Sequence, residues 1–478
     1  MKLHYIGKKE RNKFFLKIFV ALFATCYANA QASNWITSGN YSISWFKKDL
    51  NEFEITSNKE LAGLSFIVTN GYSDFSGVVI KLTKDINLSG HIWSTIGKDA
   101  NSFKGTFDGQ GHSITGIEIN LESGDSKNYA FFGSLTDARI QNVIFRGKIN
   151  IEESTAGNCE QYIGSIAAQL NNTLLEHCHS YIDITYNRLK TNTTKYKIYV
   201  GGLAAKSTKS NIIYCINQGN LSCTIGSRFQ EYYDSLHETV GGISGESTSC
   251  NYVGCENSSS HIKVQIYGSE NSSSTITIGG IVGNITSDNF KYCKSTCNFT
   301  ATSSGKTYKN VYVGGIAGYS NSAKSIINCF SCIKIMTING KVLNLYYGGI
   351  VGKTIAPINN LIANYSNSDL CLNITGEAMS NIIGEHGSTS YSTSEMGNKT
   401  FLEELNFYSQ LNEGTPIWVN GLDIFPSISY LSIPTRVEKV KNEKNETKES
   451  ALYLLSGYPS KRFGKGLNII NRKKIYVK

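Results

Sequence analysis

Cys178, Cys215, Cys255 and Cys293 each follow a glycine by 14 residues, and Cys329 follows Gly314 by 15. Cysteines in such a series could ligate a metal, pair as disulfides or fill a core. Cys293/Cys297 and Cys329/Cys332 imitate zinc ligands, but a zinc site needs a second pair converging on the first. The constant phase explains these positions without one. The expectation is a ladder of buried thiols behaving as small apolar groups, with one or two disulfides or a metal as the alternatives. Twelve cysteines are present, and eleven lie beyond residue 30. An odd number cannot pair completely within one molecule. No metal and no cofactor is expected.

Other chemistry fails on spacing. Asp108 and His112 suggest an acid–base pair, yet Asp108-Gly-Gln-Gly111 is ordinary turn chemistry. Gly352-Lys353-Thr354 lacks the P-loop glycine, since Tyr347 stands there, and Gly305-Lys306-Thr307 has Thr300 in that place. His237-Glu238 is followed by Thr-Val-Gly, not by a second metal-binding histidine. Acids within 131–384 are scattered, so no catalytic residue is assigned. Tyr232 and Tyr233 are the candidate binding residues, as aromatics able to stack on a sugar ring; the alternative is loop aromatics covering a strand.

The elements that carry these residues repeat. Tyr-Val-Gly-Gly-Leu-Ala-Ala (199–205) recurs at 239–245, 277–283, 312–318 and 346–352. This places paired glycines at Gly201/Gly202, Gly241/Gly242, Gly279/Gly280, Gly314/Gly315 and Gly348/Gly349. Weaker copies are read at Gly133, Gly164 and Gly384, and Ala363 takes the cysteine place after Gly348. Steps of 31 to 40 residues mean a solenoid, propeller or array. Each period reads as three short strands with Gly, Ser and Asn turns. The fold expected is all-β: a right-handed, single-stranded parallel β-helix of seven to nine coils. All five prolines lie at 357 or beyond, and coil-to-coil pairing needs every strand N–H that proline lacks. Extra residues fall just before each Gly-Gly, at 188–196, 226–237, 268–274, 303–310 and 339–344. Insertions at one phase project from one face, the face expected to bind.

Charge separates the ends from the body. The chain has 478 residues and a formal net charge of +9. Residues 1–30 carry +5 and 436–478 carry +8, which leaves −4 on the body and no expected nucleic-acid partner. Six basic residues from Lys2 to Lys17, an apolar run from Ile18 to Ala24 and Ala28-Asn-Ala30 form the pattern of a secretory signal peptide. A lipidated Cys26 is the alternative, on a poor lipobox. No other stretch is apolar enough to span a bilayer, so the expected location is secreted or cell-surface, reached through export and sorting machinery.

The Gly-Gly-Ile-Ala-Gly strings followed by Ile-x-Asn-Cys resemble the GLUG-motif repeats of secreted and surface proteins of Bacteroidota. The block Phe103-Lys-Gly-Thr-Phe-Asp-Gly-Gln-Gly-His-Ser-Ile114 is similar to the one that opens such arrays, as is Ile55 to Leu64, a short helix capped by Thr56 or Ser57. The resemblance covers about 50–385 and implies a right-handed parallel β-helix outside the cell with adhesin-like or glycan-related roles. Lys465 to Lys478 is similar to the end of type IX secretion signals and reads as a hairpin turning at Asn471-Arg472, where that family has Asn-Gly. The organisation expected is a signal peptide (1–30), an N-terminal cap with first coils (31–130), repeats (131–390), a C-terminal cap (391–435), a charged linker (436–450) and a sorting-like tail (451–478). The function expected is adhesive binding of a glycan or host surface protein, without catalysis. The alternative is a glycan-cleaving β-helix lyase or hydrolase, its acids gathered only by stacking.

Overall fold

The structure, a computed structural model, describes residues 33–98, 100–120, 127–153, 159–188, 195–226, 235–267, 275–369, 389–413, 417–421 and 423–429, and in the tail 452–453, 459–460, 466–470 and 473–477. The chain is mostly β, 56% strand, and its parallel strands stack as a β-solenoid of about six turns. Two compact units are separate, Met1–Arg436 and Val437–Lys478. The signal segment and Gly384 lie outside the described residues.

Parallel stacking in register makes each strand position a ladder. One ladder runs Phe53, Ile80, Phe107, Ile140, Leu175, Ile212, Tyr252, Phe290, Ile326 and Leu361. All ten side chains are buried. Burying each apolar side chain of this size contributes about 1.5–3 kcal/mol relative to exposure. The core is therefore a continuous column, and alternate residues of each strand feed it.

Two corners of each turn use left-handed backbone. Before the thiol ladder stand Asn142, His177, Tyr214, Gly254, Tyr292, Asn328 and Ala363, with φ between 50° and 62°. A second column is Asp137, Asn172, Lys209, Ser249 and Ser287, with φ between 48° and 62°. Non-glycine residues enter this region at a cost of about 1–2 kcal/mol. What offsets it at several of these corners is a cap: the N–H after the left-handed residue donates to a side chain of the next turn. Cys293 N donates to Cys329 Sγ at 3.3 Å, and Cys329 N to Asn364 Oδ1 at 2.9 Å. At the second corner Thr173 N donates to Ser210 Oγ at 3.1 Å, Ser210 N to Cys250 Sγ at 3.3 Å and Cys250 N to Asp288 Oδ1 at 2.7 Å.

Register corrects two phases read from the sequence. Tyr129 pairs with Ile163 and Phe132 with Ala167. Ala130 therefore holds the place of Gly164, and Gly133 lies on the following strand. Phe330 pairs with Tyr365, so Asn364, not Ala363, continues the thiol ladder, with Ala363 at the left-handed corner. In both cases turn lengths differ between copies, and matching the nearest similar residue misplaces the phase.

At the N-terminal side, helix Asn58–Thr69 is capped by Ser57, whose Oγ accepts from Glu60 N at 3.3 Å. The Glu60 carboxylate returns to Thr56 N at 2.7 Å. Strand Thr389–Tyr391 extends the array by pairing with Tyr365–Asn367. Helix Lys399–Glu413 and hairpin Trp418–Asn420/Pro426–Ile428 then run back along the flank. Glu413 meets Lys291, Asp423 meets Lys294, and Ser427 Oγ donates to Glu256 Oε2 at 2.8 Å. This segment thus straps several turns laterally. In the second unit Gly466–Ile470 pairs antiparallel with Lys473–Val477; Leu452–Tyr453 and Pro459–Ser460 complete a four-stranded sheet.

Candidate functional site

The paired glycines bend each turn inward. Along Ile198-Tyr199-Val200-Gly201 the even positions face the core, so the missing Cβ of Gly201 points outward. A Cβ built there meets Ala204 O at 1.7 Å. The chain therefore folds toward its own outer side, and the same contact recurs at Gly241, Gly279, Gly314 and Gly348 with the carbonyl three residues on. These five glycines align in register, continuing from Gly164. The second glycine faces inward: a Cβ at Gly202 meets Asn217 Cγ at 2.5 Å, and one at Gly242 meets Asn257 Nδ2 at 2.2 Å. Gly280 and Gly315 face Ser295 and Ser331 in the same way, and the Gly349 carbonyl accepts from the Ser331 hydroxyl. An interior polar ladder thus fills the volume that the second glycines vacate.

The result is a concave corner running along the solenoid axis. One wall presents Tyr162, Tyr199, Thr239, Thr277, Tyr312 and Tyr346 in register. The other presents Gln169, Lys206, Glu246, Asn284, Tyr319 and Lys353. The walls touch across the corner: Tyr312 and Tyr319 have ring centroids 4.8 Å apart, and Lys353 Nζ lies 3.8 Å over the Tyr346 ring. Tyr162 stacks on Tyr199 at 5.3 Å, and Tyr312 on Tyr346 at 5.1 Å.

Charges in the groove are paired along the axis. Lys197 Nζ lies 3.2 Å from Glu160 Oε1, and Lys206 Nζ 2.8 Å from Glu246 Oε1. The Tyr162 hydroxyl donates to Glu160; that bond, with Lys197, holds the Glu160 carboxyl below its ordinary range. Burial, then the Glu246 and Glu160 carboxylates, raises the Tyr199 phenol, and burial with its tyrosine neighbours pushes Tyr312 up to about 12. The phenols keep their protons at neutral pH and act as donors. Lys353 is a cation with no carboxylate partner among the described residues.

The sequence-predicted residues distribute as follows. Tyr232 and Tyr233 lie outside the described residues, although the strands that follow the insertions form the first groove wall. Cys178, Cys215, Cys255, Cys293 and Cys329 are buried and free, as are Cys223, Cys250 and Cys297. Desolvation holds Cys178, Cys255 and Cys329 well above the ordinary thiol range. Asp108 accepts from Gln110, Gln141 and Asn142 and organises its turn, whereas His112 faces Asp85 at 3.4 Å. Among the described residues no cluster of three or more His, Cys, Asp or Glu is placed to hold a metal. No described helix is long and apolar enough to cross a membrane.

Two features were missed. The groove tyrosines stood in the repeat strings, at Tyr199 and Tyr312, but only three-dimensional concavity makes them a site. Glu238 occupies the core ladder Ile198, Glu238, Ile276, Val311 and Leu345. It is fully buried beside the Cys223 thiol, with no well-formed hydrogen bond to either carboxyl oxygen, and desolvation raises its pKa to about 8. No protein-family model matches the chain, and no curated protein matches it.

Proposed function

We propose that this is an exported, surface-held repeat protein that binds an extended glycan along the concave corner. The carrying observation is the groove itself: six turns of in-register aromatic and polar side chains aligned with the long axis. A linear polymer fits such a surface better than a compact ligand does. The groove acids support binding over cleavage, because Glu160 and Glu246 are engaged by lysines and Glu160 is held ionised, whereas glycoside cleavage needs a carboxyl that keeps its proton.

The basic, apolar and small-residue regions of residues 1–30 support export. The GLUG-like strings support a right-handed array, and the partial rungs at Phe53, Ile80 and Phe107 support a count of seven to nine coils. In this reading helix Asn58–Thr69 and the 389–429 segment serve as caps, and the tail from 451 as a sorting element. Two measurements test the proposal: localisation of the tagged full-length chain in fractionated cells, and binding of purified protein to a glycan array. Surface or medium localisation with polysaccharide binding is expected; retention in the cytoplasm or silence across the array overturns it.

A further inference from the structure

A cleft of about 210 Å³ lies at the C-terminal end of helix Asn58–Thr69. Ser73 and Asp74 line it from the turn after the helix, and Asn101, Ser102 and Lys104 from the next loop. Val68, only 1% exposed, gives it an apolar floor. At about 30 Å³ for each water, the space holds about seven water molecules. It is smaller than the roughly 300–1,000 Å³ pockets of drug-sized ligands, so its occupant is one small molecule and not a chain.

The polar groups are fixed before any ligand arrives. Gly97 turns the second loop back with φ 73°, and a Cβ there would meet Asn101 O at 2.4 Å. Asn101 Nδ2 donates to Thr69 O at 3.0 Å, which sets the amide plane and leaves Oδ1 to accept. Lys104 N donates to Asp74 O at 2.7 Å, and Lys104 Nζ lies 2.9 Å from Asp74 Oδ2. Ser76 N donates to Asp74 Oδ1 at 3.0 Å, and Phe75 N to Ser73 Oγ at 3.1 Å. The Lys104 contact holds the Asp74 carboxyl below its ordinary range, so the pair is ionised at neutral pH.

Ions suit this cleft poorly. The negative end of the helix and the Asp74 carboxylate disfavour an anion, and Asp74 already matches the Lys104 charge. A cation needs several free oxygens. Asp74 is the one carboxylate among the described lining residues, and the last four helix carbonyls are bonded within the protein. Phe66 O accepts from Asn70, Ile67 O from Tyr72 N, Val68 O from Gly71 N and Thr69 O from Asn101.

We infer that this cleft is a binding site for a single neutral pyranose, held through a vicinal diol. A donor and an acceptor side by side, Lys104 and Asp74, match two adjacent hydroxyls, each able to donate and accept. One hydroxyl donates to an Asp74 lone pair not taken by Lys104 or Ser76. Its neighbour accepts from a Lys104 proton not given to Asp74. Asn101 Oδ1 and the Ser73 hydroxyl receive the remaining hydroxyls, and the C–H face of the ring rests on Val68. The loop rejoins the stack where Phe103 N donates to Ser134 O, and Ser134 pairs with Gln169, the first side chain of the second corner wall. The cleft is nevertheless a site of its own, and takes one sugar whether or not the corner takes a polymer.

The test is calorimetric titration of the full chain with glucose, galactose and mannose, and separately with calcium chloride and inorganic phosphate. Variants are used whose melting temperatures match wild type. Binding of at least one hexose is expected, weakened about tenfold or more by Asp74→Asn, by Lys104→Met and by Asn101→Ala, the usual effect of losing a hydrogen bond to a charged or fixed polar group. Lys148→Ala, in an ion pair elsewhere on the surface, leaves binding at the wild-type value. Silence toward all three hexoses overturns the site, as does hexose binding that the three cleft variants leave unchanged. Loss with Tyr346→Leu but not with Asp74→Asn also overturns it, and leaves the corner reading standing. Calcium or phosphate binding that Asp74→Asn or Lys104→Met abolishes, without hexose binding, overturns the neutral-sugar assignment.

Discussion

Trp418 Nε1 donates to Asn328 Oδ1 at 2.6 Å, joining residues 90 positions apart. Asn328 is one of the left-handed corner residues, and its amide also donates to Leu405 O at 3.3 Å. The strap is thus bolted to a solenoid corner by a buried polar contact, around which Phe330, Phe401 and Tyr365 pack edge to face or tilted. Lys294, only 1% exposed, adds a second fastening through Glu256 at 3.3 Å and Asp423 at 3.4 Å.

Trp418→Ala should therefore destabilise the chain by about 3–5 kcal/mol, the usual cost of emptying a large aromatic site. Asn328 would be left short of a partner as well. Thermal melting should fall, and proteolysis should first cut between 389 and 429. Unchanged melting would show that the strap adds no stability.

The glycine corner makes a sharper prediction. Gly241→Ala places a Cβ 1.8 Å from Ser244 O, a backbone atom that cannot move aside. Loss of soluble folded protein, or a destabilisation above the about 1–3 kcal/mol typical of overpacking, is expected. Gly397→Ala is the control, since its nearest neighbour would be 3.3 Å away. Equal melting temperatures for the two variants would refute the inward bend.

How much of this was legible depended on which signal a role leaves in the chain. The thiol ladder was visible because one residue type, cysteine, recurs in every turn from Cys178 to Cys329. The second corner does the same work with Ser210, Cys250 and Asp288. Their shared role is to accept an N–H bond, and no recurring letter reveals it. The parallel β architecture followed from period and turn residues, whereas the groove depends on the direction of an absent Cβ at Gly201, which only coordinates give. The strap was expected over the end of the array; its lateral course rests on distant contacts such as Trp418 with Asn328.

Stability should decline with rising pH through Glu238. Its pKa is raised from 4.5 to about 8 by burial, so the folded chain keeps a proton that the unfolded chain releases. The protonated form supports stability fully below about pH 4.5, and this is lost as pH rises toward 8, by linkage. Asp288, raised by burial from 3.8 to about 6, adds a loss of the same sign at lower pH. Glu238→Gln should flatten the profile between pH 6 and 8, and Glu238→Ile, matching Ile198 and Ile276, should raise the melting temperature at pH 8. A wild-type profile that Glu238→Gln leaves unchanged would refute this.

The buried thiols should be chemically silent. Iodoacetamide should leave Cys215, Cys255 and Cys293 unmodified in the native chain and alkylate them in denaturant without prior reduction, read by peptide mass spectrometry. A disulfide among them, or native labelling, would contradict the ladder.

The two threonines at 239 and 277 also break a symmetry. An unbroken tyrosine column would offer a polymer equivalent positions one turn apart, and the polymer could slide between them at no cost. A single interruption makes one alignment different from all others. A repetitive array thereby acquires a unique origin along its length, fixed by the two turns that carry threonine where their neighbours carry tyrosine.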